Sequence, residues 1–349
     1  MDPVTGLSPS VSRRAILGGA AALAATVARR GSAGEASPAW VRWRSMFLAP
    51  DGRVIDDGQG GLSHSEGQGY GLLLAQAFDD REAFDRIEAW TRANLATRQD
   101  PLMAWCWRDG SVRDWRNATD GDVLRAWALC RAGRDSGWTG HDRVMRDIAE
   151  AVAGICLAPD PRAPSKALLK PADRAPASAK GVLVNPSYYL TVALRELASA
   201  ADLPVLAEVA DHGEAILADP RAMRDWVAVT PDGLHPPEGH ADRCGWDAVR
   251  IPLHLAWAGR WDHPAMATIR RRLHGTTVPG HVAVVTDPDG GVLSQSDAPG
   301  IVAMGALAAG RPPGPADPTG QGYYPATLTL LAQVAWDEGG GARRPEPPG

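Results

Sequence analysis

The chain has 349 residues, 44% of them hydrophobic, with 36 basic and 41 acidic residues and a net charge of −5. That much apolar material buries a large core and excludes a disordered chain. The charges are well mixed, without the basic stripe that a nucleic-acid partner requires.

In chain order, Ser12-Arg13-Arg14 opens an apolar run from Ala15 to Ala28, followed by a small-residue stretch to Ala36. Paired arginines before a short Ala/Gly-rich run match a bacterial twin-arginine export signal. The run is too short to span a bilayer comfortably. Residues 1–36 are therefore expected to be cleaved, leaving a periplasmic or secreted protein with no stable membrane anchor.

From there, apolar residues recur at spacings of three and four in segment after segment, which reads as helix. The predicted helices are Trp40–Leu48, Gly67–Phe78, Arg81–Leu95, Asp120–Ala132, Asp142–Cys156, Pro186–Ala200, Pro204–Leu217, Trp246–Ala258, Pro264–Leu273, Ile301–Ala309 and Tyr323–Trp336. Prolines 186, 204 and 264 suit first-turn positions. Leu157–Val184, rich in Pro, Ala and Lys, reads as a long loop, and Val278–Leu293 as a small hairpin turning at Asp287–Gly291. The Gly/Pro/Arg-rich stretch 339–349 reads as a disordered tail. No sequence period recurs, which disfavours a solenoid. A closed ring of helical hairpins over residues 37–338 accounts better for length and helix count.

Four stretches carry chemistry. Ser63-His64-Ser65-Glu66-Gly67-Gln68-Gly69-Tyr70-Gly71 sets a carboxylate among small residues at a helix mouth. Its glycines would let another molecule approach the backbone, and a carboxyl half-buried there suits a general acid. The same residues also spell an S-x-x-E capping box, Ser63 to Glu66. Asp120 and Asp122 flank Gly121 at a second helix start, where acidic residues also complement the helix dipole. Asp247 and Arg250 stand at i, i+3, the spacing of a helical ion pair, and Tyr188 and Tyr189 open a further helix. Taken singly, each reads as well as a cap or an ion pair. In a ring of hairpins alternate helix ends meet on one face, and an acid and a base meeting there make a glycoside hydrolase. The cysteines, Cys106, Cys130, Cys156 and Cys244, lack C-x-x-C spacing and paired histidines, so no zinc site is expected. Thirteen tryptophans serve core first and sugar stacking second.

The motifs S-E-G-Q-G-Y-G-L-L-L-A (65–75), A-W-C-W (104–107), N-A-T-D-G-D (117–122), N-P-S-Y-Y (185–189), W-D-A-V-R-I-P-L (246–253) and G-Y-Y-P-A-T-L (322–328) occur in this order. With them the chain resembles glycoside hydrolase family 8, particularly the bacterial endoglucanases that accompany cellulose synthesis. The resemblance implies an all-α (α/α)6 barrel and an inverting mechanism on a β-1,4-linked polysaccharide, without metal or organic cofactor. It implies Glu66 as general acid, Asp247 as general base and Asp120 as a sugar contact at the cleavage subsite. Trp105, Tyr188, Arg250, Tyr323 and Tyr324 fall where the family binds substrate. Trp246 stands where Tyr is commoner. A cellulose synthase or export complex is the partner implied. Xylan or chitosan as substrate, or a non-catalytic glycan-binding role, are the alternatives.

Overall fold

The computed structural model describes residues 37–343. The predicted export segment, 1–36, lies outside them, as do residues 344–349 of the predicted tail. Among the described residues eleven α-helices form. They are α1 Pro38–Phe47, α2 Ser65–Ala77, α3 Arg81–Asn94, α4 Thr119–Arg134, α5 Asp142–Ile155 and α6 Thr191–Ala201, then α7 Pro204–Leu217, α8 Ile251–Trp257, α9 Pro264–Leu273, α10 Pro299–Ala308 and α11 Tyr323–Glu338.

These close into an (α/α)6 barrel. Neighbouring contacts run α2–α4–α6–α8–α10–α11 and back to α2, which defines the inner ring. Helices α1, α3, α5, α7 and α9 pack outside it, and the stretch 309–322 passes without helix where a sixth outer helix would lie. The burial follows the sequence pattern. Inner helices such as α8 and α10 are apolar or small nearly all round and are buried nearly all round. Outer α5 buries one stripe, Met145, Ile148, Ala149 and Val152, and turns Asp142, Arg143 and Glu150 outward. Inner helices α2, α4, α6 and α8 each return through an outer helix and α10 through the stretch 309–322, so the inner helices share a direction and their N-termini meet at one end.

Strands line that end as connections. They are β1 Ser63–His64, β2 Cys106–Arg108, β3 Ser111–Asp114, β4 Leu157–Asp160, β5 Ala163–Leu169, β6 Ala177–Ser178, β7 Gly181–Val184, β8 Val227–Thr230, β9 Gly233–His235, β10 Val282–Thr286 and β11 Val292–Ser296. The hairpin expected near 278–293 is β10–β11. Leu157–Val184 is not a plain loop: it folds into the β4–β5 hairpin and the first half of the antiparallel sheet β6-β7-β8-β9. Pro and Ala, poor strand formers, hide these strands in the sequence. Two helices start later than Pro186 and Trp246 suggest. Residues Pro186–Tyr188 and Ala248–Arg250 form 3-10 turns, and α6 and α8 begin beyond them. The tail is anchored as far as 343, because Gly341 packs under Trp336 and the Gly339 carbonyl accepts from Trp261 Nε1 at 2.7 Å.

Glycines set the spacing of the catalytic end. A Cβ on Gly69 would stand 2.6 Å from Leu124 Cβ, and one on Gly121 would stand 2.5 Å from Ser65 Oγ and 2.7 Å from Glu66 N. The glycines expected to admit another molecule instead admit a neighbouring helix, so that α2 and α4 touch at their first turns.

Gly121→Ala tests this. Alanine gains up to about 1 kcal/mol in helix propensity, yet its methyl has no room against the α2 backbone, and overpacking costs about 1–3 kcal/mol. Urea unfolding should show a net loss of stability; a variant as stable as the parent would refute the close contact.

Candidate active site

The inner-helix N-termini bring together side chains from five places in the chain. Glu66 lies in the first turn of α2, half-buried. The cap of α2 is His64 rather than Ser63: His64 Nδ1 accepts from Gly67 N at 3.0 Å, while Ser63 Oγ donates to the Val54 carbonyl at 2.6 Å. The far ring nitrogen of His64 is 3.3 Å from Asp56 Oδ2, and the Asp56 carboxyl lies below its ordinary pKa because the His64 and Gln59 contacts outweigh burial, which pushes the other way. The expected capping box therefore does not form, and Glu66 is left to face the cleft.

Asp120 opens α4 and is 3% exposed. Its Oδ1 accepts from Gly121 N at 2.8 Å. Burial, then the nearby Glu66 carboxylate, push its pKa well above the carboxylate range against the pull of Arg250. Asp122 is spent on structure: Oδ1 accepts from Met103 N at 2.7 Å and Oδ2 from Asn117 Nδ2 at 2.9 Å.

Arg250 ends the 3-10 turn before α8 and is 3% exposed. Its Nη1 donates to Glu66 Oε1, its Nη2 to Asp247 Oδ1 at 2.8 Å and to Asp120 Oδ2 at 3.2 Å, and its Nε to Ser187 Oγ at 3.1 Å. The guanidinium also stands 5.6 Å from the centre of the Tyr188 ring. One cation thus joins three carboxylates and an aromatic face that four sequence-distant segments supply.

Asp247 keeps about a quarter of its side chain in solvent, 27%. Its pKa is pushed up to about 6, first by burial and further by the Asp225 and Glu66 charges, with Arg250 opposing. An arginine one turn away would by itself hold the carboxyl low; here burial and the neighbouring acid charges outweigh it.

The aromatic candidates divide. Trp105 is partly exposed, and its carbonyl accepts from Ser65 N at 3.0 Å, which places it beside Glu66. Tyr188 is buried at the base of the site, whereas its neighbour Tyr189 turns into the core and accepts from Leu169 N at 3.1 Å. Tyr324 donates its hydroxyl to the Trp246 carbonyl at 2.7 Å and meets the Trp246 ring edge-on at 6.0 Å. Trp246 itself is 46% exposed. Tyr323 departs from the expectation of a sugar contact: it is 1% exposed, with its ring enclosed by Trp43, Phe47 and His64.

Asp225 escaped the sequence reading. It is 2% exposed and its Oδ1 accepts from three amides, those of Gly245, Asp247 and Ala248. Nothing in Arg224-Asp225-Trp226 marks it, since its partners lie about 20 residues onward.

Acidic side chains at converging helix ends of an (α/α)6 barrel define a glycoside hydrolase. Comparison with known proteins agrees. The chain matches the model of glycosyl hydrolases family 8 over residues 16–338 and belongs to that family. It is 30% identical over 345 residues to a probable endoglucanase of Novacetimonas hansenii, covering 93% of this chain and 98% of that one. An endoglucanase of Cellulomonas uda is 33% identical over 232 residues, a match spanning 64% of each chain. The solved family 8 endoglucanase of Klebsiella pneumoniae superposes with a TM-score of 0.77 at 28% identity, over 86% of this chain and 99% of that one.

The crowding around Asp247 gives a direct expectation. A carbon-13 NMR titration of the side-chain carboxyls should show one resonance with a midpoint near 6 that Asp247→Asn removes. A midpoint near the ordinary value, about 3.9, would contradict it.

Proposed function

We propose that the protein is an inverting endo-β-1,4-glucanase with Glu66 as general acid and Asp247 as general base. The observation that carries this reading is the convergence of Glu66, Asp247 and Asp120 on the Arg250 guanidinium. The glucan comes from the relatives, which are named endoglucanases.

In this reading the protonated Glu66 carboxyl gives its proton to the glycosidic oxygen as the bond to the anomeric carbon breaks. Asp247, ionised, takes a proton from a water attacking the opposite face of that carbon, so one displacement suffices. Glu66 has to hold its proton for that step, so its contact with Arg250 must yield as a sugar enters. Asp120 and Asp247 keep the guanidinium in place meanwhile. Asp120, buried and with a raised pKa, is suited to donate to or accept from hydroxyls of the distorted sugar. Trp105, Tyr188 and the exposed Trp246, braced by Tyr324, supply the aromatic walls. Side chains and water meet every requirement of the reaction.

The setting is part of the proposal. The Arg13-Arg14 segment supports export, and the resemblance to endoglucanases of cellulose synthesis supports trimming of nascent glucan beside a synthase or export complex.

The test is the stereochemistry and pH dependence of hydrolysis. Reducing ends should appear from carboxymethylcellulose, and NMR of fresh cello-oligosaccharide product should show the α-anomer first. Because the base must be ionised, kcat/KM should fall as pH drops through about 6. Glu66→Gln and Asp247→Asn should fold and lose nearly all turnover. A β-anomer as first product would remove Asp247 from the role of base.

A further inference from the structure

Asp247 stands in a short segment, Gly245–Ala248, that joins Cys244 to the turn before α8. Cys244 is fixed to the β10 strand by paired backbone bonds with Thr286, at 3.1 and 2.8 Å. Past that point the segment is gathered by Asp225. The Asp225 Oδ1 accepts from Gly245 N at 2.8 Å, Asp247 N at 3.2 Å and Ala248 N at 3.1 Å. Its Oδ2 accepts from Arg243 Nε at 3.1 Å, and its own amide donates to the Arg243 carbonyl at 3.0 Å. A Cβ on Gly245 would stand 2.6 Å from Asp225 Oδ2, so the glycine is what lets the carboxylate come this close. Among natural side chains, only a short carboxylate presents two oxygens at this depth with acceptor capacity for all these donors.

We propose that Asp225 is a positioning residue for the hydrolysis: by binding the three amides around Asp247 it fixes the direction in which that carboxyl points at the attacking water. The proposal rests on the reading of Asp247 as base. It goes beyond local folding, because the amide of Asp247 itself is one of the three bound and the Asp225 charge acts on the Asp247 carboxyl. The charged and titratable groups facing Asp247 are Arg250 on its own segment, Asp225, Glu66 from α2, Asp120 from α4, Tyr188 from the turn before α6 and Tyr324 from α11. Of these Asp225 commits both carboxylate oxygens to the segment that carries the base, Oδ1 to its amides and Oδ2 to Arg243. It can therefore be changed without removing a group that meets the sugar.

Two substitutions separate its two actions. Asp225→Asn keeps an oxygen toward the amides and loses the charge. The acidic limb of kcat/KM should move to lower pH, since one of the charges that raise the Asp247 pKa is gone, while KM stays near that of the parent. Asp225→Ala loses the acceptor as well, and kcat should fall on the order of 10²-fold, the cost of misplacing a reacting group by about 1 Å. A folded Asp225→Ala enzyme with the parent's kcat overturns the proposal, whatever its melting temperature; where that variant does not fold, Asp225→Ser, whose single hydroxyl cannot gather three amides and Arg243, is read in its place with the same expectation. Asp247→Asn is measured alongside. If that variant keeps parental turnover, the base assignment fails and the positioning role with it; if it is inactive while Asp225→Ala keeps the parent's kcat, only the positioning role fails.

Discussion

A single guanidinium holds this site together. Among the described residues Arg250 is the one cation in contact with all of Glu66, Asp247 and Asp120, and it is as buried as Asp120. Burying acid without a partner is costly, and losing one member of a buried pair commonly costs about 3–5 kcal/mol. Three carboxyls and one arginine cannot all be balanced as full charges. Burial first, and the crowding of acid charges after it, raise the carboxyl pKa values of Asp120 and Asp247. That is the condition acid–base chemistry needs, with protons held and released close to neutrality.

The barrel exists, for this purpose, to bring those groups to one end. Its inner helices contribute their first turns: α2 gives Glu66, α4 gives Asp120, the turn leading to α8 gives Arg250, and α11 gives Tyr324. How closely they approach depends on missing side chains, because Gly121 lies against the backbone of Glu66 itself. Deeper support comes from pairs such as Arg125 with Glu88, bidentate at 3.0 and 2.6 Å between α4 and α3. Helix packing and site geometry are thus one problem, solved by glycine where helices meet and by paired charge where they turn away.

Much of this was legible in the sequence. Helix periodicity located nine of the eleven helices within a few residues; the other two, expected from Pro186 and Trp246, begin only after a 3-10 turn. Glu66, Asp120, Asp247 and Arg250 stood out by their settings, and the structure brings all four together. What escaped depends on partners far along the chain. Asp225 looks like any loop aspartate until Gly245 folds over it, and Tyr323 reads like Tyr324 until the packing of Trp43 and Phe47 closes around it. The raised pKa of Asp247 is hidden from the sequence for the same reason: Arg250 is its neighbour in sequence, but Asp225 and Glu66 are neighbours only in space.

The central claim is that Arg250 sets the proton affinity of the acidic cluster. The most direct measurement is the pH dependence of kcat/KM in Arg250→Gln, with folding confirmed by circular dichroism. Removing the one cation that lowers the Asp247 pKa should move the acidic limb to higher pH than in the parent enzyme. A limb that stays in place would show that the guanidinium does not govern the cluster, and the account given for these carboxyls would be wrong.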